Sequence, residues 1–196
     1  MRVSGAILAE KNGAPSGAFF IGAGKPGVWH GSGISVNSSH QQVAREIARS
    51  LRGKRFGVIG VGNVLRGDDG AGPALVAALR NRFKFPLVDA SEVPENYGGW
   101  IVREKLESVV FVDAVDFGGQ PGEFRIIPID RLLVSASSTH RLSLHYLIRY
   151  LEDEWDGEAI LVGMQPKGLQ LGEGLSAEVQ AAVTSLAEAL RGASMK

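Results

Sequence analysis

The chain of 196 residues contains no cysteine. That absence excludes a disulfide framework, a thiolate zinc site and a cysteine nucleophile, and it accords with a reducing compartment. Net charge is missing too, because 21 Lys and Arg balance 21 Asp and Glu. Neither nucleic acid nor an anionic membrane is therefore implied as a bulk partner. No apolar run approaches the roughly 20 residues needed to span a bilayer. Glu10 and Lys11 interrupt the early apolar stretch Ala6–Ala9, which argues against a signal peptide. No membrane insertion is expected, and the expected location is the cytoplasm. Internal repeats and low-complexity tracts are also lacking. What is present is enough chain for one medium domain with an appendage, at ordinary hydrophobic content.

Residues 1–36 are glycine-rich and carry Ala18-Phe19-Phe20-Ile21 and Val28-Trp29 on either side of Gly24-Lys25-Pro26-Gly27. Two short strands about a Pro-Gly turn fit, and so does a flexible extension. Over 38–52 the pattern turns helical: Ser38 or Ser39 can cap, and Val43, Ile47 and Leu51 recur every four residues. Arg45, Arg49, Arg52 and Lys54 make this part basic, which reads as a solvated helix face. The expected division is an extension plus linking helix over 1–54 and the main domain over 55–196.

From Arg55 onward apolar strands alternate with amphipathic helices. Strands are expected at Phe56–Val61, Phe85–Asp89, Val109–Asp113 and Ala159–Met164, with an edge strand at Glu123–Ile129. Helices are expected at Pro73–Phe83, Asn96–Leu106, Leu142–Leu151 and Ser176–Leu190, the last capped by Ser176. The unbroken apolar run Val109-Val110-Phe111-Val112 marks a strand buried on both faces. The fold class is α/β: a three-layer sandwich with a twisted, mostly parallel sheet and helices on both faces.

The first strand runs into Gly60-Val61-Gly62-Asn63-Val64-Leu65-Arg66-Gly67-Asp68-Asp69-Gly70. In a doubly wound sheet the carboxyl ends of the strands share one crevice. Three polar residues sit where buried strands end or return: Asp69, Asp113 and His140. Two carboxylates and an imidazole together make a hard oxygen and nitrogen site suited to nickel or zinc. Each has a plainer reading. Asp68 and Asp69 can both be turn residues, Asp113 can cap a turn, and His145 competes with His140. Spacing alone does not choose.

Five segments in order resemble the hydrogenase maturation endopeptidases. They are the Gly60–Pro73 block, Val93-Pro94-Glu95-Asn96, Val112-Asp113-Ala114-Val115-Asp116 with Gly118 and Pro121-Gly122-Glu123, Thr139-His140 before a Leu-rich helix, and Gly163-Met164-Gln165-Pro166. The branch they look like includes the formate-hydrogenlyase hydrogenase 3 protease. The resemblance spans about 55–190 and implies an endopeptidase that removes the C-terminal extension of a nickel-loaded nickel–iron hydrogenase large-subunit precursor. It maps the family's functional residues onto Asp69, Asp113 and His140 as metal ligands, with Asp69 and Asp113 also catalytic. Supporting positions are Gly62, Asn63, Gly67, Asp68 and Gly70, with Asp68 expected to shape the turn and orient Asp69. Nickel would arrive with the substrate, zinc or cadmium could take its place, and no organic cofactor is implied. Hydrolysis would be aspartic-type or metal-assisted.

Two rivals differ in class. A dinucleotide-binding oxidoreductase would need Gly at 65, where Leu65 stands, and its pyrophosphate would face two carboxylates. A non-catalytic nickel-dependent checkpoint or chaperone would use the same three residues as the protease.

Overall fold

The computed structural model describes residues 40–128 and 140–195. The choice between a two-strand unit and a flexible extension at 1–36 lies outside the described residues. Among the described residues five strands form one sheet: β1 (Phe56–Val61), β2 (Leu87–Ser91), β3 (Ser108–Ala114), β4 (Phe124–Ile126) and β5 (Glu158–Met164). Their order is β2-β1-β3-β5-β4, parallel except for β4, which pairs antiparallel with β5 at the edge. Five α-helices of the described residues cover it: α1 (His40–Leu51), α2 (Ala71–Leu79), α3 (Gly98–Arg103), α4 (Arg141–Glu154) and α5 (Ala177–Ser194).

Successive strand residues point to opposite faces. Phe56, Val58, Val110, Val112, Ile160 and Val162 therefore join the core under α1, α2 and α5. Ile59, Val61, Val109, Phe111, Ala159 and Leu161 join the core under α3 and α4. Strands with an apolar residue at nearly every position are stable only when both faces are covered, which is the three-layer arrangement. Each fully buried aliphatic side chain in these layers contributes about 1.5–3 kcal/mol.

Helix α1 places Val43, Ile47 and Leu51 in the same core as α2 and α5, while Arg45, Arg49 and Arg52 are exposed. The boundary expected between 54 and 55 thus falls between two elements that share one core. Three further boundaries shift for local reasons. β2 begins at Leu87 because Phe85 leaves the ladder to pack on Phe56 and Phe83. α2 begins at Ala71, directly after a 3-10 turn at Gly67–Gly70, so Pro73 still lies in the first turn, where its missing N–H costs nothing. The helix expected over 96–106 is a 3-10 turn at Pro94–Tyr97 followed by the short α3. The pair Gly98-Gly99 weakens it, and a Cβ at Gly98 would meet the Tyr150 ring at 2.8 Å.

From β1 the chain moves outward to β2 and then returns to β3 on the other side of β1. The loops after β1 and β3 therefore diverge at the carboxyl edge, where an open α/β sheet leaves its crevice.

Candidate active site

Asp69 reaches this crevice through a turn that only glycine permits. At Gly62 φ is +132°, and a Cβ there would overlap the Asp69 carbonyl oxygen. The turn then closes on itself: Arg66 N donates to Asn63 O at 3.0 Å, Asp69 N to Arg66 O at 3.1 Å, and Asn63 N to Asp69 Oδ2 at 3.0 Å. Gly72 completes the junction, since a Cβ there would overlap the carbonyl oxygens of both Val61 and Val112. The start of α2 is thus pressed against the ends of β1 and β3, which sets Asp69 beside Asp113.

The neighbouring Asp68 serves a different purpose. Lys167 N and Gly168 N donate to its Oδ2 at 2.7 and 3.2 Å. Ser176 N donates to its Oδ1 at 2.6 Å, and Ser176 Oγ to its Oδ2 at 3.0 Å. Four donors hold this buried carboxylate, which offsets the large cost of burying charge. The loop from β5 to α5 is tied to this side chain, and main-chain bonds from Gly67 N to Glu173 O, Asp68 N to Gly168 O and Gly172 N to Leu65 O add to the hold. Ser176 passes the restraint onward, because its Oγ also accepts from Val179 N as the cap of α5.

Asp113, next to last in β3, is wholly buried and sits opposite Gly163 of β5. His140 precedes α4 and is 6% exposed. Its Nε2 lies 3.6 Å from Asp69 Oδ2. Burial alone would lower the imidazole's pKa from 6.5, but the contact with Asp69 and the charges of Asp113, Asp69 and Glu92 outweigh it and raise the value. Asp69, Asp113 and His140 each present a ligand atom, and the three atoms lie within 4.8 Å of one another. Two carboxylate oxygens and one imidazole nitrogen at that spacing fit a divalent first-row ion, with positions left over for groups brought by a partner. His145 does not join them; it is half-buried, with its ring 5.9 Å from that of Tyr146.

Two residues at the edge of the site had no separate weight in the sequence. Gln165 Oε1 accepts from Phe117 N at 2.9 Å and Gly119 N at 3.0 Å, while its Nε2 donates to Asp116 Oδ1 at 3.1 Å. It ties the loop that follows Asp113 to the end of β5. Glu92 follows Ser91, a non-glycine residue at φ 47°, and directs its charge towards His140. Gln165 lay within the resembling segment Gly163–Pro166 without a role of its own, and the signal for Glu92 was position alone, immediately after a strand at the carboxyl edge.

The family model for hydrogenase maturation protease (HycI) matches residues 73–192. The chain belongs to the hydrogenase maturation protease family. The match includes Asp113 and His140 and begins after Asp69. Among relatives, the hydrogenase 3 maturation protease of Escherichia coli (strain K12) is 39% identical over 109 residues, 54% of this chain and 69% of that protein. The crystal structure of a [NiFe] hydrogenase maturation protease HycI from Thermococcus kodakarensis KOD1 superposes with a TM-score of 0.69 at 34% identity, covering 77% of this chain and 99% of that one. The hydrogenase maturating endopeptidase HybD from E. coli gives 0.61 at 26% identity, covering 68% and 88%. Membership places the chain among peptide-bond hydrolases rather than dinucleotide-binding oxidoreductases. Among the described residues no helix is long and apolar enough to cross a membrane.

Proposed function

We propose that this endopeptidase removes the C-terminal extension of a nickel-loaded nickel–iron hydrogenase large-subunit precursor, in the cytoplasm, and so completes its maturation. The supporting observation is the convergence of Asp69, Asp113 and His140 within 4.8 Å at the carboxyl edge of the sheet. These donors suit a nickel ion that the substrate itself presents, so the ion links the two proteins and a nickel-free precursor lacks that link.

The roles divide by environment. Asp69 accepts from Asn63 N and contacts the His140 imidazole, which fits it to hold the ion and orient His140. Asp113 is then left to move the proton. It takes one from the attacking water as a bond forms to the scissile carbonyl carbon, and returns it to the amide nitrogen as the C–N bond breaks. The positive charge of the substrate's nickel polarises the carbonyl. This makes the cut metal-assisted, with one carboxylate as proton carrier rather than a symmetric aspartic pair.

The test is an incubation of matched precursor, nickel-loaded and nickel-free, with the wild-type protein and with Asp113→Asn, followed by mass spectrometry of both fragments. The expected result is a single nickel-dependent cut by the wild type and none by Asp113→Asn, although the variant still forms the complex. Cleavage by Asp113→Asn at the wild-type rate would remove the assignment. Nickel-dependent binding without any cut by the wild type would leave a checkpoint instead.

A further inference from the structure

The edge that carries the site is apolar beyond what the fold requires. Among the described residues eight large hydrophobic side chains are exposed, and all but Met195 lie at the carboxyl edge or on α4. Val64 and Leu65 belong to the turn that positions Asp69. Leu171 sits in the loop held by Asp68, where Gly172 N donates to Leu65 O at 2.8 Å. Val93 follows β2. The other three, Leu142, Tyr146 and Tyr150, recur every four residues along α4 and so form one stripe.

That stripe is the second apolar face of its helix. Leu144, Leu147, Ile148 and Leu151 already bury the first against the sheet. A helix apolar on two sides, one of them in solvent, marks an interaction surface. The stripe starts two residues after His140 and, at 1.5 Å per residue, runs about 12 Å away from the site. Tyr150 at its far end is seated against Gly98, which leaves no room for a side chain there.

Two observations point to what covers it. The stripe is continuous with the Asp69–Asp113–His140 site, so a chain lying along it enters the crevice at His140. The carboxylates of Asp69 and Asp113 lie within 4.8 Å of the His140 ring nitrogen, so the site end of the stripe repels an acidic segment and accepts an apolar one that brings a cation.

Building on the function proposed above, we infer that Leu142, Tyr146 and Tyr150 dock an apolar, non-acidic segment of the precursor adjoining the scissile bond, and so set its position relative to His140. The experiment compares wild type, Leu142→Ser/Tyr146→Ser, the milder Tyr146→Ser and the remote control Met195→Ser. Steady-state cleavage of nickel-loaded precursor gives kcat and KM. Interferometry on the same substitutions in an Asp113→Asn background gives affinity, and thermal melts confirm folding. The expected result is a KM raised at least tenfold in the double variant, a smaller rise in Tyr146→Ser, kcat within twofold, a matching loss of affinity, and no change in Met195→Ser. Unchanged KM and affinity in the double variant, with wild type still cleaving, overturn the docking surface and leave the proteolytic reading intact. If wild type binds without cleaving, the proteolytic reading fails and the affinities alone decide the docking surface. A wild-type dimer that the double variant converts to monomer at unchanged KM would assign the stripe to a second copy and overturn the inference.

Discussion

Asp68 grips Ser176 twice across 108 positions of sequence, through the Ser176 N–H at 2.6 Å and its hydroxyl at 3.0 Å. Because Ser176 also caps α5, the acidic turn, the loop after β5 and the last helix are one mechanical unit.

Replacing that carboxylate should therefore act at a distance. In Asp68→Asn an amide NH2 must take the place of one oxygen and face N–H donors. A buried donor left unmatched costs about 1–3 kcal/mol, equivalent to a fall in melting temperature of about 2–12 °C for a chain of this size. Differential scanning calorimetry checks the fall, and hydrogen exchange should place the loosened amides at 167–176. Protection there equal to wild type would contradict the assignment.

Gly62→Ala should damage the site more than the fold. The added Cβ falls on the Asp69 carbonyl oxygen, and φ of +132° is closed to alanine. Relief requires the turn to move, which withdraws the Asp69 carboxylate from His140. Strain of this kind costs about 1–3 kcal/mol. Divalent-metal affinity measured by calorimetry should fall at least tenfold while the far-ultraviolet dichroism stays close to wild type.

Gln165→Leu keeps the volume and removes the hydrogen bonds that pin the loop after Asp113. Asp116 reports on this directly. Its pKa lies below 3.8, held there first by Gln165 and then by the Gly118 N–H, with burial opposing weakly. In the variant it should rise towards 3.8, measurable by carbon-13 chemical shift against pH. Processing of precursor should slow about tenfold through misplacement of Asp113, since small displacements of reacting groups cost rate steeply. An Asp116 titration identical to wild type would show that the clamp is not made in solution.

His140 gives the metal-free protein a pH signature. Its folded pKa is raised above 6.5, so the imidazolium stabilises the folded state. That stabilisation is fully present below about 6.5, the ordinary histidine value, and is lost as pH rises through the folded value. A metal ion needs the neutral imidazole, so its apparent affinity should weaken about tenfold per unit once pH falls below the folded value. Calorimetry across pH 5–8 on wild type and His140→Ala checks both signs, and the variant should lose both dependences.

Much of this was legible beforehand because it is local. The run Val109–Val112 could be little else than a strand covered on both sides, and β3 occupies Ser108–Ala114 with every residue buried. Ser176 was readable as a cap, and its hydroxyl accepts from Val179 N. Ligand atoms of Asp69, Asp113 and His140 lie within 4.8 Å of one another, in the shared crevice that a doubly wound sheet offers. What local sequence does not carry is pairing over distance. The side-chain bonds of Asp68 reach 99 to 108 positions away, and three of those of Gln165 reach 46 to 49. No spacing rule encodes such partners. Aromatic packing likewise moved the start of β2, because Phe85 has a better neighbour in Phe56 than in the ladder.

The floor of the crevice is peptide against peptide. At Gly62 and Gly72 main chain meets main chain with no side chain between, so no rotamer can absorb an error there. The rim is the reverse: the side chains of Val64, Leu65 and Leu171 stand in solvent. A protein built this way separates what must stay constant from what can drift. New partner preferences could be selected by varying the rim, in nature or in a library, while the chemistry below is inherited unchanged.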